Sequence, residues 1–555
     1  MQMKREITIT FNDGSTKSFL SGITYYEVSK EYQSKMSNPI IGVKVNNEIT
    51  SMGNQITEDE TLEFFDVTDL VGYKVYQSGL KFVFEVALKE LYGKKCGVAF
   101  NHSVAKGVLA DIKNELPFTK DEVIKLKAKM AEIIHDDIVI EKLNVTKKDA
   151  IYYYDKINRP EKAKNAYNAP GNIVTLYKLK DYLNYYYTSM PYSTGCLQKY
   201  EIAFIEDNRV CLMYPSPRSK NAVPEYVHYG NIIRTFDKGK KWLENLNVPY
   251  VCEVNDMVAE SRIKDFVKAS EVEYDNKIHK IAEAVASDDR IKCILIAGPS
   301  SSGKTTTTKK LALNLIAKGY APLVISVDDY FVDRDNTPLD EEGNYDYECL
   351  EAIDTQTFNE QMLDLIKGIE INTPQFNFVT GKREWTGTTK KLKPNGIILI
   401  EGLHCLNDDL TPMIPQETKY KVYLSPFIPL NIDRHNYIST TDLRLIRRMV
   451  RDNRDRGASV SDTIAYWQSV RKGEEKHIFP FIHQADVILN TAHAYELGVL
   501  KVYAEPILNS VRIDSPYYEE ARRLINFLGN FYTIPTSYIA IDSVLREFVG
   551  GSYFD

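Results

Sequence analysis

The chain has 555 residues, 43% of them hydrophobic and 26% charged, with a formal net charge of −7. That length exceeds what a single hydrophobic core serves, so three or four domains are expected, and the acidic balance argues against a protein whose main affinity is for a nucleic-acid backbone. Seven cysteines are scattered without a CxxC pair, which signals neither a zinc ribbon nor a disulfide framework and suits reduced thiols. The first ten residues lack a signal peptide's apolar core, and the longest apolar runs, such as Ile397 to Ile400, fall far short of a membrane span. A soluble, cytoplasmic protein with no membrane partner is expected.

Residues 1–67 alternate like strands. Ile7, Ile9 and Phe11 lead into Asn12-Asp13-Gly14, a tight-turn signal, after which Lys17 to Leu20 can return antiparallel. Thr24 to Lys35 predicts a short helix, Val43 to Ile49 a second hairpin around Asn46-Asn47, and Leu62 to Val67 a closing strand. The result is a compact β-grasp module. With Asp13-Gly14-Ser15 it resembles the TGS domain found at the start of threonyl-tRNA synthetases and in some regulatory GTPases and stringent-response enzymes. Those relatives imply contact with RNA or the ribosome. Here Lys4, Arg5, Lys17, Lys30, Lys35 and Lys44 are six positives against ten acidic residues, a net of −4, which disfavours RNA contact and leaves a structural or protein-contact role.

Residues 68–225 show helical spacing over Phe82 to Leu91 and Thr119 to Ile134, then tyrosine-rich stretches at Tyr152 to Tyr154 and Tyr185 to Tyr187, and end at Tyr214-Pro215-Ser216-Pro217. This predicts an α+β domain in which the tyrosines pack half-buried rather than form a base-stacking platform. The order of segments, with Asp149-Ala150-Ile151-Tyr152-Tyr153-Tyr154 and Ile173-Val174-Thr175-Leu176-Tyr177, is similar to the second, editing domain of threonyl-tRNA synthetases. That family's HxxxH and CxxxH positions correspond here to Gln77, Lys81, Thr188 and Tyr192. None of them replaces an imidazole or thiolate ligand, so the resemblance implies a retained scaffold that has lost its editing chemistry. Cys196 and His102 are read as ordinary packing. Residues 226–289 read as a polar helical linker whose Glu273 to Ala286 packs against the next domain.

Residues 290–490 hold the densest chemistry. Ile294 to Ala297 is an apolar strand, Gly298-Pro299-Ser300-Ser301-Ser302-Gly303-Lys304-Thr305 fits GxxxxGK(S/T), and Thr306 to Ala317 continues at helical spacing. Such a loop curls backbone N–H groups around phosphates, its lysine neutralises β/γ oxygens and its hydroxyl ligates Mg²⁺. Pro322 to Val327 is a second buried-strand run, delivering Asp328-Asp329-Tyr330-Phe331 to the edge where ligands sit in parallel α/β sheets. A carboxylate there can take the proton of an attacking hydroxyl; helix capping is the competing reading. Ile397 to Ile400 ends in Glu401-Gly402, a position suited to a Walker B acid on Mg²⁺. Thr440 to Gly457 spaces Arg444, Arg447, Arg448, Arg451 and Arg454 along one broad helical face, with Arg456 at its end. They read as an anion-clamping lid, or as a solvated face paired with Asp442, Asp452 and Asp455.

This stretch resembles the uridine kinase and phosphoribulokinase family of P-loop kinases. The motifs run in order: Gly298 to Thr305, Asp328 to Phe331, Gly343-Asn344-Tyr345-Asp346-Tyr347-Glu348, Phe376-Asn377-Phe378-Val379-Thr380, Glu401-Gly402, and Arg447-Arg448-Met449-Val450-Arg451-Asp452. The resemblance implies a parallel sheet flanked by helices, ATP and Mg²⁺ as cofactors, and Asp328 as general base with Lys304 and Arg451 completing catalysis. It places Gly298, Ser300 to Thr305, Thr306, Arg451 and Arg456 on the nucleotide. Thr305 and Glu401 fall on the metal, and Asp328, Tyr330, Glu348, Phe376, Arg383 and Arg448 on the acceptor. The family's pyrimidine-cradling tyrosine, aspartate and histidine are Phe376, Asn377 and Gly381 here, and its ribose-binding aspartate is Glu348, so the resemblance implies that the transfer machinery is kept while the base-edge hydrogen bonds that give pyrimidine specificity are removed.

Residues 491–555 read as a helical packing tail whose glycine pair, Gly550-Gly551, can cap a helix. The whole predicts an α/β P-loop kinase domain preceded by a β-grasp TGS domain and an α+β synthetase-like domain, transferring the γ-phosphate of ATP to a hydroxyl of a small molecule, with the 5′-hydroxyl of a nucleoside as the preferred acceptor and a non-nucleoside sugar as the nearest alternative. A kinase of another alcohol, an NTP-driven switch on tRNA or the ribosome, and an editing hydrolase are the rival readings. The oligomeric state is left open.

Overall fold

The computed structural model describes residues 5–104, 106–219, 221–340, 343, 345–377 and 379–555; Lys4, Asn344 and Phe378 lie outside them. In β1 (Glu6–Phe11), Ile7, Ile9 and Phe11 are buried while Glu6 and Thr8 face water, the alternation that fixes register. β2 (Thr16–Leu20) returns antiparallel after Gly14, whose φ of +77° the turn requires. α1 (Tyr25–Tyr32) starts on a capping box between Thr24 and Glu27. β3 (Gly42–Val45) and β4 (Glu48–Thr50) form the second hairpin, and β5 (Glu60–Phe65) runs parallel to β1, giving a mixed sheet of order β2-β1-β5-β3-β4.

α2 (Leu70–Tyr92) begins well before the predicted Phe82, because from Val75 to Leu88 it is buried on every side and shows no amphipathic period at its start. β6 (Gly97–Val104), β7 (Gly107–Lys113), α3 (Lys120–His135), β8 (Glu141–Thr146), α4 (Lys147–Lys156), α5 (Pro160–Asn168), β9 (Ile173–Leu179), β10 (Tyr182–Asn184), β11 (Glu201–Glu206) and β12 (Arg209–Met213) complete this part. They make a four-stranded antiparallel sheet, β11-β12-β7-β6, and a three-stranded one, β10-β9-β8. Tyr154 and Tyr186 are buried packing residues, and His102 stacks on Phe236 at 4.8 Å.

α6 (Gly230–Asn245), α7 (Val251–Ala259) and α8 (Ile263–Ala286) come next. The expected linker contributes to the cores around it: Val251, Phe266 and Val267 join the apolar core of the C-terminal helices, and the Tyr274 hydroxyl hydrogen-bonds Thr307 at 2.6 Å.

The third part comprises β13 (Cys293–Ala297), α9 (Lys304–Ala317), β14 (Ala321–Ser326), α10 (Thr355–Ile366), β15 (Ile371–Asn377), β16 (Lys382–Lys390), β17 (Gly396–Gly402), β18 (Lys419–Ser425), β19 (Asn431–Asp433), β20 (Asn436–Tyr437), α11 (Thr440–Asp455), α12 (Val460–His477) and β21 (Val487–Asn490). α13 (Glu496–Asn509), α14 (Tyr518–Leu528) and α15 (Arg546–Val549) end the chain. Five parallel strands lie in the order β14-β17-β13-β18-β21. β13 and Ile397 to Ile400 of β17 are buried at every position, as a sheet covered on both faces demands. The order reverses beside β13, which opens a crevice at the carboxyl edge. The antiparallel β15–β16 hairpin stands apart from this sheet and is not evident in the sequence.

Between β18 and α11 the β19–β20 hairpin reaches into the second part. Phe100 N–H donates to Arg434 O at 2.8 Å, Asn165 Nδ2 to Ile432 O at 2.8 Å, and Lys162 pairs with buried Asp433 at 3.0 Å. Gln77 Nε2 donates to the Tyr437 hydroxyl at 2.9 Å and Lys81 Nζ to His435 O at 3.3 Å. The hairpin therefore covers Gln77 and Lys81, the two α2 positions that the sequence reading sets against an HxxxH pair. Burial pushes Lys81 down to about 7. The Thr188 hydroxyl shares a hydrogen bond with Ser78, and Tyr192 packs on Tyr26 instead, ring centroids 4.4 Å apart. Among the described residues no helix is long and apolar enough to cross a membrane.

Candidate active site

The phosphate loop is set by close packing at both ends. A Cβ on Gly298 would lie 2.7 Å from Leu424 O, and Gly303 begins α9 at φ +86°. Lys304 Nζ rests on the loop's own carbonyls, at 3.0 Å from Gly298 O. The loop borders a cleft of about 2010 Å³, wide enough for two ligands side by side, lined by Ser300 to Thr305, Asp328, Glu348, Phe376, Glu401, Arg448, Arg451 and Arg456. The carboxyl ends of β14 and β17 deliver Asp328 and Glu401. Burial raises both acids: Glu401 goes up to about 7, with Asp328 adding repulsion and Lys304 opposing, while Lys304, Arg456 and Arg451 oppose the shift of Asp328.

The arginines of α11 divide by depth. Arg444 and Arg447 are buried and do not face the cleft: Arg444 Nε donates to Ser300 O at 2.9 Å, and Arg447 donates to Ser301 O at 3.4 Å and Thr491 O at 2.9 Å. Glu474 and Glu496 neutralise them. Thr491 in turn donates to Ser302 O at 2.6 Å, so the carbonyls of Ser300, Ser301 and Ser302 are all fastened from behind. Arg448, Arg451 and Arg456 face the cleft and converge on one carboxylate, Asp452, at 3.2, 2.7 and 3.6 Å. Arg448 also donates to Ser300 Oγ at 3.1 Å. Arg454 turns away to Asp455. Asp442 is bound by Arg523 of α14 and Lys74, not by its own helix.

Residues 293–497 match the model of the Phosphoribulokinase / Uridine kinase family. This stretch is a phosphoribulokinase/uridine kinase family domain. A uridine kinase of Staphylococcus aureus is 29% identical over 197 residues, 35% of this chain and 84% of that enzyme. The N-terminal region matches a threonine–tRNA ligase of Caldanaerobacter subterraneus subsp. tengcongensis, 28% identical over 181 residues, 32% of this chain. The matched stretch spans only 28% of that ligase's length. A solved structure described as a possible uridine kinase from Bacillus stearothermophilus aligns at 19% identity with a TM-score of 0.26, covering 39% of this chain and 98% of that one.

Elsewhere along the cleft, Glu348 approaches α12 where Gly473 leaves room; a Cβ there would lie 2.4 Å from Glu348 Cβ. Burial pushes Glu348 up to about 7, Glu474 reinforces this and Arg448 opposes it. Phe376 packs on Phe331 at 5.5 Å, and both line the cleft. Tyr330 and Arg383 are not brought there. The Tyr330 side chain is buried against Phe358 with its hydroxyl on Gln361, and Arg383 pairs with Asp354 at 2.7 Å. Asn377 is consumed by its own turn, its Oδ1 accepting from Val379 and Thr380 N–H. At Gly381, φ +69°, a Cβ would lie 2.6 Å from Arg334 Nε, so a guanidinium occupies the space a side chain would fill. Arg334, Arg218 and Glu547 line the cleft unannounced by any motif.

Thr305, Glu401 and Asp328 offer hydroxyl and carboxylate oxygens, the hard donors Mg²⁺ takes, and mutual repulsion of the two acids favours a cation between them. Among the described residues no group of three or more His, Cys, Asp or Glu forms a closed metal cage; Mg²⁺ in kinases is held by one or two carboxylates together with substrate phosphates.

Proposed function

We propose that this chain is an ATP- and Mg²⁺-dependent kinase transferring the γ-phosphate to a hydroxyl of a small molecule, with the 5′-hydroxyl of a nucleoside as the preferred acceptor. The observation that carries this reading is the gathering of Lys304, Asp328, Glu401 and three arginines around one cleft at the carboxyl edge of a parallel sheet. Thr305 and Glu401 would hold Mg²⁺, which when bound neutralises phosphate oxygens. Lys304 turns from Gly298 O to the β/γ oxygens, and the loop amides take the remaining phosphate charge. Asp328 accepts the proton of the attacking hydroxyl, while Arg448, Arg451 and Arg456 exchange Asp452 for the transferring group. Catalysis is positioning and charge neutralisation. Ahead of this domain, residues 1–67 are taken as a TGS-like β-grasp module and residues 68–225 as an editing-type scaffold whose site the β19–β20 hairpin closes.

A second reading, a kinase of a non-nucleoside sugar or alcohol, draws on Gly381 and Arg334. Arg334 stands there in place of a side chain at residue 381, and a guanidinium donates to hydroxyl, carbonyl and phosphate oxygens alike, so this wall does not select for a pyrimidine. Incubation with ATP, Mg²⁺ and individual nucleosides or sugars, followed by mass spectrometry against Lys304→Ala, separates them. Product from one nucleoside, absent in the variant, is the expected outcome; product only from a non-nucleoside moves the assignment, and product from none overturns the kinase reading.

A further inference from the structure

The C-terminal segment is seated on the phosphate loop. The Glu547 carboxylate of α15 accepts from Thr306 N–H at 3.1 Å, and Glu547 lines the same cleft as Gly303, Lys304, Thr305 and Glu401. Neighbouring contacts fix the segment. Val544 lies against Gly303, where a Cβ would come within 2.5 Å of Val544 Cγ2, and the Arg447 guanidinium sits 4.8 Å from the Phe548 ring. Lys310 pairs with Asp542 at 2.9 Å and Lys309 Nζ donates to Phe554 O at 2.7 Å. Val544, Leu545 and Phe548 are fully buried, whereas Glu547 is only half-buried, so its side chain can turn while its segment stays. Its charge also reaches the acidic pair, adding to the repulsion on Glu401.

Backbone N–H groups of a phosphate loop and the helix start behind it cradle the α/β-phosphates. One of them is taken here by a carboxylate of the protein itself, and a phosphate and a carboxylate repel each other at that distance. We infer that Glu547 is a residue of the nucleotide site: an internal anion on Thr306 N–H that a nucleotide phosphate must displace, so that the C-terminal segment sets nucleotide affinity. The inference rests on the reading of this loop as the ATP site. No bond is made or broken by it; Glu547 rotates away and the amide changes partner.

The test is isothermal titration of the full chain with Mg·ATP, comparing the unmodified protein with Glu547→Gln, Glu547→Ala and Lys304→Ala. Both Glu547 variants are expected to bind about tenfold more tightly, a ratio that shrinks with added salt, while Lys304→Ala loses binding. Equal or weaker binding by both Glu547 variants, with Lys304→Ala still deficient, overturns the role of Glu547 and leaves the ATP site standing. Absence of binding in every protein, or binding indifferent to Lys304, overturns the ATP site and this inference with it.

Discussion

Asp328 sits where burial raises its pKa and where Lys304, Arg456 and Arg451 oppose the rise, and in the proposed reading it is the general base. Asp328→Asn keeps the shape and hydrogen-bonding reach of the side chain but removes its basicity. It is expected to leave the ATP dissociation constant within about twofold while lowering kcat by about 10²–10⁴, the usual worth of general-base catalysis. Turnover of the variant at the unmodified rate would take the role from Asp328. Such residues are legible in the sequence because the chemistry is local: strand, acid and loop succeed one another in the chain. Tyr330 and Arg383 are the counter-examples. They lie in or beside family-like motifs, yet one is buried against Phe358 and the other bound to Asp354, because side-chain direction is decided by packing that the motif does not contain.

At the scale of the element, α11 is both a clamp on the loop and a lip of the cleft. Its arginine spacing reads as one face, but Arg444 and Arg447 lie on the buried side and hold Ser300 and Ser301 carbonyls against Glu474 and Glu496. Removing one partner of a buried pair strands the other charge. Arg447→Met is therefore expected to destabilise the fold by about 3 kcal/mol in denaturant unfolding. Arg447→Met with Glu496→Leu restores most of that stability, since an apolar pair of similar volume removes both charges. ATP affinity stays impaired in the double variant, because the Ser301 and Thr491 carbonyls have lost their donor. Recovery of affinity together with stability would show that Arg447 serves the core alone.

Across the whole molecule, the N-terminal parts are built into the kinase cleft. Thr68, Leu70, Pro217 and Arg218 form part of its wall, and Arg218 Nε holds Glu475 of α12 at 2.5 Å, joined by Lys106 at 3.3 Å. Arg218→Ala is expected to raise the acceptor KM about tenfold with the ATP dissociation constant unchanged, as loss of an orienting charge contact on one side of a two-substrate site predicts. An unaltered KM would confine the N-terminal parts to scaffolding. The β19–β20 hairpin gives the same union a structural basis, since buried Asp433 pairs with Lys162 and its backbone is hydrogen-bonded by Phe100 and Asn165.

The sequence by itself determined the phosphate loop, the strands that deliver Asp328 and Glu401, the first mixed sheet and the family of residues 293–497. Each depends on spacing within a few dozen residues, where periodicity, glycine placement and turn chemistry act directly on the backbone. Tertiary structure alone decided that the supposed linker is core, that a hairpin of the kinase domain covers Gln77 and Lys81, that Arg334 stands at Gly381, and that Glu547 meets Thr306 across 241 positions of chain. Those pairings arise from the packing of distant apolar faces. Nothing in the local pattern of either partner records the other.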